Sequence, residues 1–168
     1  MPGAATSSPQ LMLARLVGKR RRIRRGAGGI MLSHYAPLVI AEQFGMLNAL
    51  APWRIDLGLR RAPGTDMATA AALRRHHQTN DHFPQQVEEL RGFLADNFPA
   101  GHPYSAVHAV PGPWQNAENR LAAPQVSPEL RILGSSPYSA QLAARLGRPY
   151  AFALQFGEAD VGAAMRLL

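Results

Sequence analysis

Short strand-like stretches alternate along this chain with stretches of helical period, and that alternation restricts the fold more than any other feature. Over Arg54–Leu59, Ile55, Leu57 and Leu59 fall on one side and Asp56 and Gly58 on the other, which reads as a short strand. Small residues lead into an apolar strand end at Gly26–Leu32, Leu130–Ser136 runs as a strand into a small-residue turn, and Tyr150–Leu154 is another apolar strand. Helices are expected over Ala4–Val17, Pro37–Leu50, Met67–Arg75, Pro84–Asn97, Ala140–Leu146 and Ala159–Leu168. In the second of these, Ile40, Phe44 and Leu47 recur at steps of four and three. Strands that alternate with helices imply right-handed βαβ units and a parallel sheet of about four strands. Between Pro99 and Pro128 repeated prolines break the pattern, and a long excursion is expected, with a short strand around Ala106–Val110.

The chain has 168 residues, 46% of them apolar and 17% charged, which suits one modest domain with a core. No apolar run approaches the roughly 20 residues that a membrane-spanning helix needs. Met1–Gln10 has neither a basic nor an apolar leader region. There is no cysteine, which excludes disulfides and thiolate chemistry. These features favour a cytoplasmic protein. The formal net charge of +7 is concentrated in Lys19–Arg25, which holds six basic residues in seven positions. Such a run could meet nucleic acid or an anionic surface. No aromatic residue interleaves with it, so a solvated loop is the expectation and nucleic acid is not an expected partner.

In a parallel α/β protein, ligands bind at the carboxyl ends of the strands. Three such ends collect here: Gly28-Gly29, Arg60-Arg61, and Gly134-Ser135-Ser136. They offer close backbone approach, cations, and N–H groups at a helix start, where Ser136 can serve as N-cap and Pro137 as the first helical residue. That combination fits a phosphate. Arg60 and Arg61 are followed by Ala62-Pro63-Gly64, a turn, and Thr65 or Asp66 can cap the next helix; a plain surface turn with solvated arginines would look the same. His76, His77 and His82 match no metal-ligand spacing, and no metal is expected. His34 is better placed, just past a glycine-rich strand end.

Several blocks resemble one family in order and spacing. Gly28–Leu32, Ala36–Val39, Ala41–Gly45, Arg54–Gly58, Arg61–Asp66, Phe83-Pro84, Val87–Leu90, Leu133–Ser136 and Ser139–Ala144 are similar to the bacterial luciferase-like flavin-dependent monooxygenases. The resemblance implies an α/β fold that is part of a TIM (β/α)8 barrel, about four parallel strands with flanking helices, spanning residues 1–168 as one incomplete domain. It implies reduced FMN as cofactor (F420 in related branches), oxygen chemistry on an aldehyde or similar substrate, and a flavin reductase as the source of reduced FMN. By the same resemblance Gly28 and Gly29 fall where the family carries an unusual cis peptide beneath the flavin ring. Arg61 falls on the arginine that meets the flavin phosphate, and Gly134, Ser135 and Ser136 on the other phosphate contacts.

The departures are as informative. Arg60 stands where a small residue is expected beside the flavin, Arg25 where a valine is expected inside a strand, Trp53 where a turn glycine is expected, and Ser33 where a proline is. An unpaired buried arginine at position 25 would be costly. A TIM barrel takes about 250 residues, and the family's catalytic histidine has no counterpart here, so no catalytic residue is expected among residues 1–168. The expectation is a chain truncated at both ends, roughly the third to sixth strands of the barrel. It would have open sheet edges, inward Ile and Leu side chains facing water, and impaired activity alone. The alternatives are a half barrel that assembles with a copy of itself or another chain, a non-catalytic basic anion-binding protein, and an F420-dependent oxidoreductase of the same superfamily.

Overall fold

The computed structural model describes residues 7–61, 67–73, 81–115, 127–154 and 161–167. Its strands are β1 (Arg25–Met31), β2 (Ile55–Arg60), β3 (Glu129–Gly134) and β4 (Tyr150–Phe152). They form one four-stranded sheet in the order β1-β2-β3-β4, and each neighbouring pair is parallel. Sequential parallel neighbours with helical crossovers form the arc of a β/α barrel. The helices are α1 (Pro9–Val17), α2 (Pro37–Leu50), α3 (Met67–Ala72), α4 (Phe83–Ala95), α5 (Pro137–Leu146) and α6 (Val161–Met165), with a 3-10 turn at Leu32–His34.

Local chemistry sets the helix ends. Proline stands in the first turn of α1, α2, α4 and α5, where its missing N–H has no intrahelical partner to lose. Asp96 closes α4 and Gly147 closes α5, both in the left-handed conformation. Ile40, Ala41, Phe44 and Leu47 of α2 and Phe83, Val87, Leu90 and Leu94 of α4 bury the faces that meet in the core.

Strand parity decides which side of the sheet is covered. Ile30, Ile55, Leu57, Leu59, Leu130 and Ile132 all point to the helix layer and are buried. The opposite face presents Gly26, Gly28, Asp56, Gly58, Arg60, Glu129 and Arg131. The expectation that inward Ile and Leu would face water is therefore corrected: the uncovered face is mainly glycine and charge, with Met31 and Leu133 half-buried near its carboxyl end.

Two further expectations change. Ala106–Val110 forms no strand; Ala109 is buried, and Pro111 packs so closely on α2 that a Cβ at Gly45 would reach its carbonyl oxygen at 2.5 Å. Arg25 is half-buried but not unpaired, because its Nη1 donates to the Val17 carbonyl at the end of α1 at 3.0 Å. The turn and cap residues Ala62–Asp66, and His76 and His77, lie outside the described residues.

Candidate functional site

The carboxyl ends of β1, β2 and β3 lie level, since Met31 pairs with Arg60 and Arg60 with Leu133. At this end the backbone of β1 is irregular. A bulge separates Ala27 from Ile30, and Gly29 has φ +133°, a conformation open to glycine and strained for any residue with a Cβ. A Cβ on Gly29 would sit 3.5 Å from Cβ and 3.8 Å from Cδ of Arg60, so the arginine stem runs beside it. Gly28 has nothing within 4 Å of its Cβ position. The Gly28–Gly29 peptide is trans, where the resemblance implied cis; among the described residues the cis bond is Val110–Pro111. The bulge and the positive φ of Gly29 reshape this strand end instead.

Arg61 follows β2 and is exposed. Its guanidinium carbon stands 4.3 Å from the ring centroid of Tyr138 in the first turn of α5. This cation–π contact holds the charge against a helix start. Ser135 and Ser136 form the link from β3 into that helix. Ser136 is the N-cap by position, but its hydroxyl makes no capping bond. The turn is held instead by Ser139, whose Oγ donates to the Ser136 carbonyl at 2.8 Å, and by Tyr150, whose hydroxyl donates to the Gly134 carbonyl at 2.9 Å. Gly134 is required by packing, because a Cβ there would collide with Ser139. The structure therefore brings Arg61 to Tyr138, in the first turn of the helix that Ser135 and Ser136 lead into, and Arg60 to Gly29. Sequence reasoning passed over Tyr138, Ser139 and Tyr150. The signal for Tyr138 was its place directly after Ser-Ser-Pro.

The described histidines do not converge. His34 is half-buried in the turn after β1, His82 precedes α4, His102 stacks on Phe98, and Nδ1 of His108 lies 2.7 Å from Oδ1 of Asp96. Among the described residues no three His, Asp or Glu side chains form a metal site. A groove of about 550 Å³ lined by Glu88, Arg91, Phe98, Ser127 and Arg148 lies at the start of β3, away from the Arg61 cluster.

The uncovered face carries an ion network near the strand starts. Arg24 Nη2 pairs with Asp56 Oδ1, and with Glu129 Oε2 at 2.9 Å; Arg131 pairs with Glu129 at 2.8 Å and with Asp56 at 3.6 Å. Burial pushes the Asp56 carboxyl up, but the hydrogen bond from Arg24 and the charges of Arg24 and Arg131 outweigh it, and its pKa lies below the ordinary carboxylate value. The hydrogen bond to Asp56 holds Arg24 above its ordinary value.

Comparison with known proteins identifies the family. Residues 1–168 match the luciferase-like monooxygenases. A luciferase-like monooxygenase of Escherichia coli (strain K12) is 45% identical over 157 residues, which is 93% of this chain and 42% of that protein. The crystal structure of apo-MsnO8 superposes with a TM-score of 0.70 at 38% identity, over 89% of this chain and 40% of that one. The oxygenating constituent of 3,6-diketocamphane monooxygenase from Pseudomonas putida, solved in complex with FMN, has the same fold at a TM-score of 0.64 and 19% identity, over 88% of this chain and 43% of that one. The chain thus spans less than half the length of these relatives. With a sheet that follows an arc of their TIM barrel and a match along its whole length, the chain belongs to the luciferase-like monooxygenase family.

Proposed function

We propose that this chain supplies the phosphate-binding arc of an FMN-dependent monooxygenase. The observation that carries the reading is Arg61 stacked on Tyr138 at the start of α5, beside Ser135 and Ser136. A guanidinium, two hydroxyls and a helix N-terminus together suit a phosphate dianion. Gly28 leaves open space on the uncovered face for the ring half of the cofactor, whereas the Arg60 stem lies against Gly29.

Reduced FMN, once bound, supplies the electrons that activate dioxygen for monooxygenation. The chain's own residues hold and orient it. Arg61 and the Ser135-Ser136 turn bind the phosphate, and Gly134 keeps that turn packed against Ser139. Arg60, beside Gly29, adds positive charge at the edge of the ring site, which favours an anionic ligand there. A flavin reductase is the proposed source of reduced FMN, by analogy with a relative described as an oxygenating constituent.

Gel filtration with FMN tests the reading. Yellow absorbance should co-elute with the protein for FMN and not for F420. Co-elution with F420 alone would replace FMN by F420, and co-elution with neither would remove the cofactor reading. The elution volume also reports whether the chain self-associates.

A further inference from the structure

The basic run has no part in the site at the carboxyl ends of the strands. It lies at their other end. Lys19, Arg20, Arg21 and Arg22 are exposed in the link from α1 into β1. Among the described residues none of these four makes an ion pair, whereas the neighbouring Asp56 and Glu129 are engaged by Arg24 and Arg131. The rim therefore carries a local excess of positive charge that its own carboxylates do not offset.

Apolar side chains stand among these cations. Ile23 is 57% exposed, Leu50 at the end of α2 is 57% exposed, and Trp53 in the link into β2 is 62% exposed. The two links are tied together: Arg24 Nη1 donates to the Trp53 carbonyl at 2.9 Å, and Arg54 Nη1 donates to the Arg20 carbonyl. Trp53 also sits at φ +67°, in the left-handed region that disfavours a bulky residue. The fold thus keeps a large indole in water at a backbone position better suited to glycine.

We infer that this rim, Lys19–Ile23 with Leu50 and Trp53, docks on an anionic lipid bilayer. Cations on one surface attract acidic headgroups, and indole rings are favoured at the membrane–water interface. Ile23 and Leu50 leave water on insertion, a gain that a nucleic-acid phosphate backbone would not provide. No helix of the described residues is long and apolar enough to cross a membrane.

The test is co-sedimentation of the full chain with vesicles of equal parts phosphatidylcholine and phosphatidylglycerol, against pure phosphatidylcholine vesicles and duplex DNA. Binding to the acidic vesicles should exceed binding to neutral ones and to DNA, and should weaken with added salt. Neutralising Arg20, Arg21 and Arg22 to Gln keeps the Arg20 carbonyl that Arg54 uses and should lower partitioning on the order of 100-fold. Trp53→Gly relieves the backbone, so weaker vesicle binding by that variant cannot be ascribed to unfolding. In the Trp114→Phe background, Trp53 emission should shift to the blue on acidic vesicles. Equal binding to both vesicle types, tighter binding to DNA, or full binding by the triple variant would overturn the inference.

Discussion

The guanidinium of Arg61 rests 4.3 Å from the ring centroid of Tyr138, joining the end of β2 to the first turn of α5. The contact fixes one cation at a helix start without burying its charge. Replacing Tyr138 by Leu should leave Arg61 present but less well placed. A loss of about two- to fivefold in FMN affinity is expected, in line with an exposed cation–π contact of about 0.5–1 kcal/mol. Fluorescence quenching titration measures it, and an unchanged affinity would show that the stacking does not position the cation.

Gly134 should tolerate no side chain. Gly134→Ala forces a methyl against Ser139 in the turn that Ser136 and Tyr150 also hold. A cost of about 1–3 kcal/mol is expected from overpacking. Urea unfolding should show a lower midpoint, and a midpoint equal to that of the unsubstituted chain would contradict the packing described.

Asp56 should make stability depend on pH in the acid range. Its folded pKa lies below the unfolded value, so the stabilisation is fully present above the unfolded value and is lost as pH falls through the folded one. Asp56→Asn should cost about 1 kcal/mol at neutral pH, a small figure because its partners are partly solvated. The difference between the two proteins should shrink progressively below about pH 4, near the ordinary carboxylate pKa. A gap that persists unchanged in strong acid would assign the loss to packing rather than charge.

The helix-facing strand residues should dominate stability. Leu57 and Ile132 are fully buried, and truncating either to Ala should cost about 2–5 kcal/mol. Thermal unfolding followed by circular dichroism would show it. An unchanged melting temperature would mean that the sheet is not packed on this side.

The strands were legible from period-two alternation in β2 and from short apolar runs bounded by small or turn residues in the others. Which face of the sheet is covered was not legible, since parity says only that two sides differ. The helices settle it, and they place Ile55, Leu57 and Leu59 outward on the core, leaving Asp56 to ion-pair on the uncovered side. Arg25 was misread for a related reason: its partner is the Val17 carbonyl, a backbone group at a helix end that residue type does not reveal. Ala106–Val110 is a short apolar run between prolines, but β3 is already flanked by β2 and β4, and the segment packs beside α2 instead. The glycines, Arg61 and the two serines could be read as strand ends. The contact that links Arg61 to α5 could not, because it joins residues remote in sequence.

The central claim is that Arg61 recognises the phosphate of the flavin. The direct measurement is a binding cycle: FMN and riboflavin, each titrated into the chain and into Arg61→Ala. The unsubstituted chain should prefer FMN by at least about tenfold, consistent with about 1.5–3 kcal/mol for a hydrogen bond to a charged group, and Arg61→Ala should remove most of that preference while remaining folded. Equal affinity for FMN and riboflavin, or a preference for FMN that survives the loss of Arg61, would contradict it.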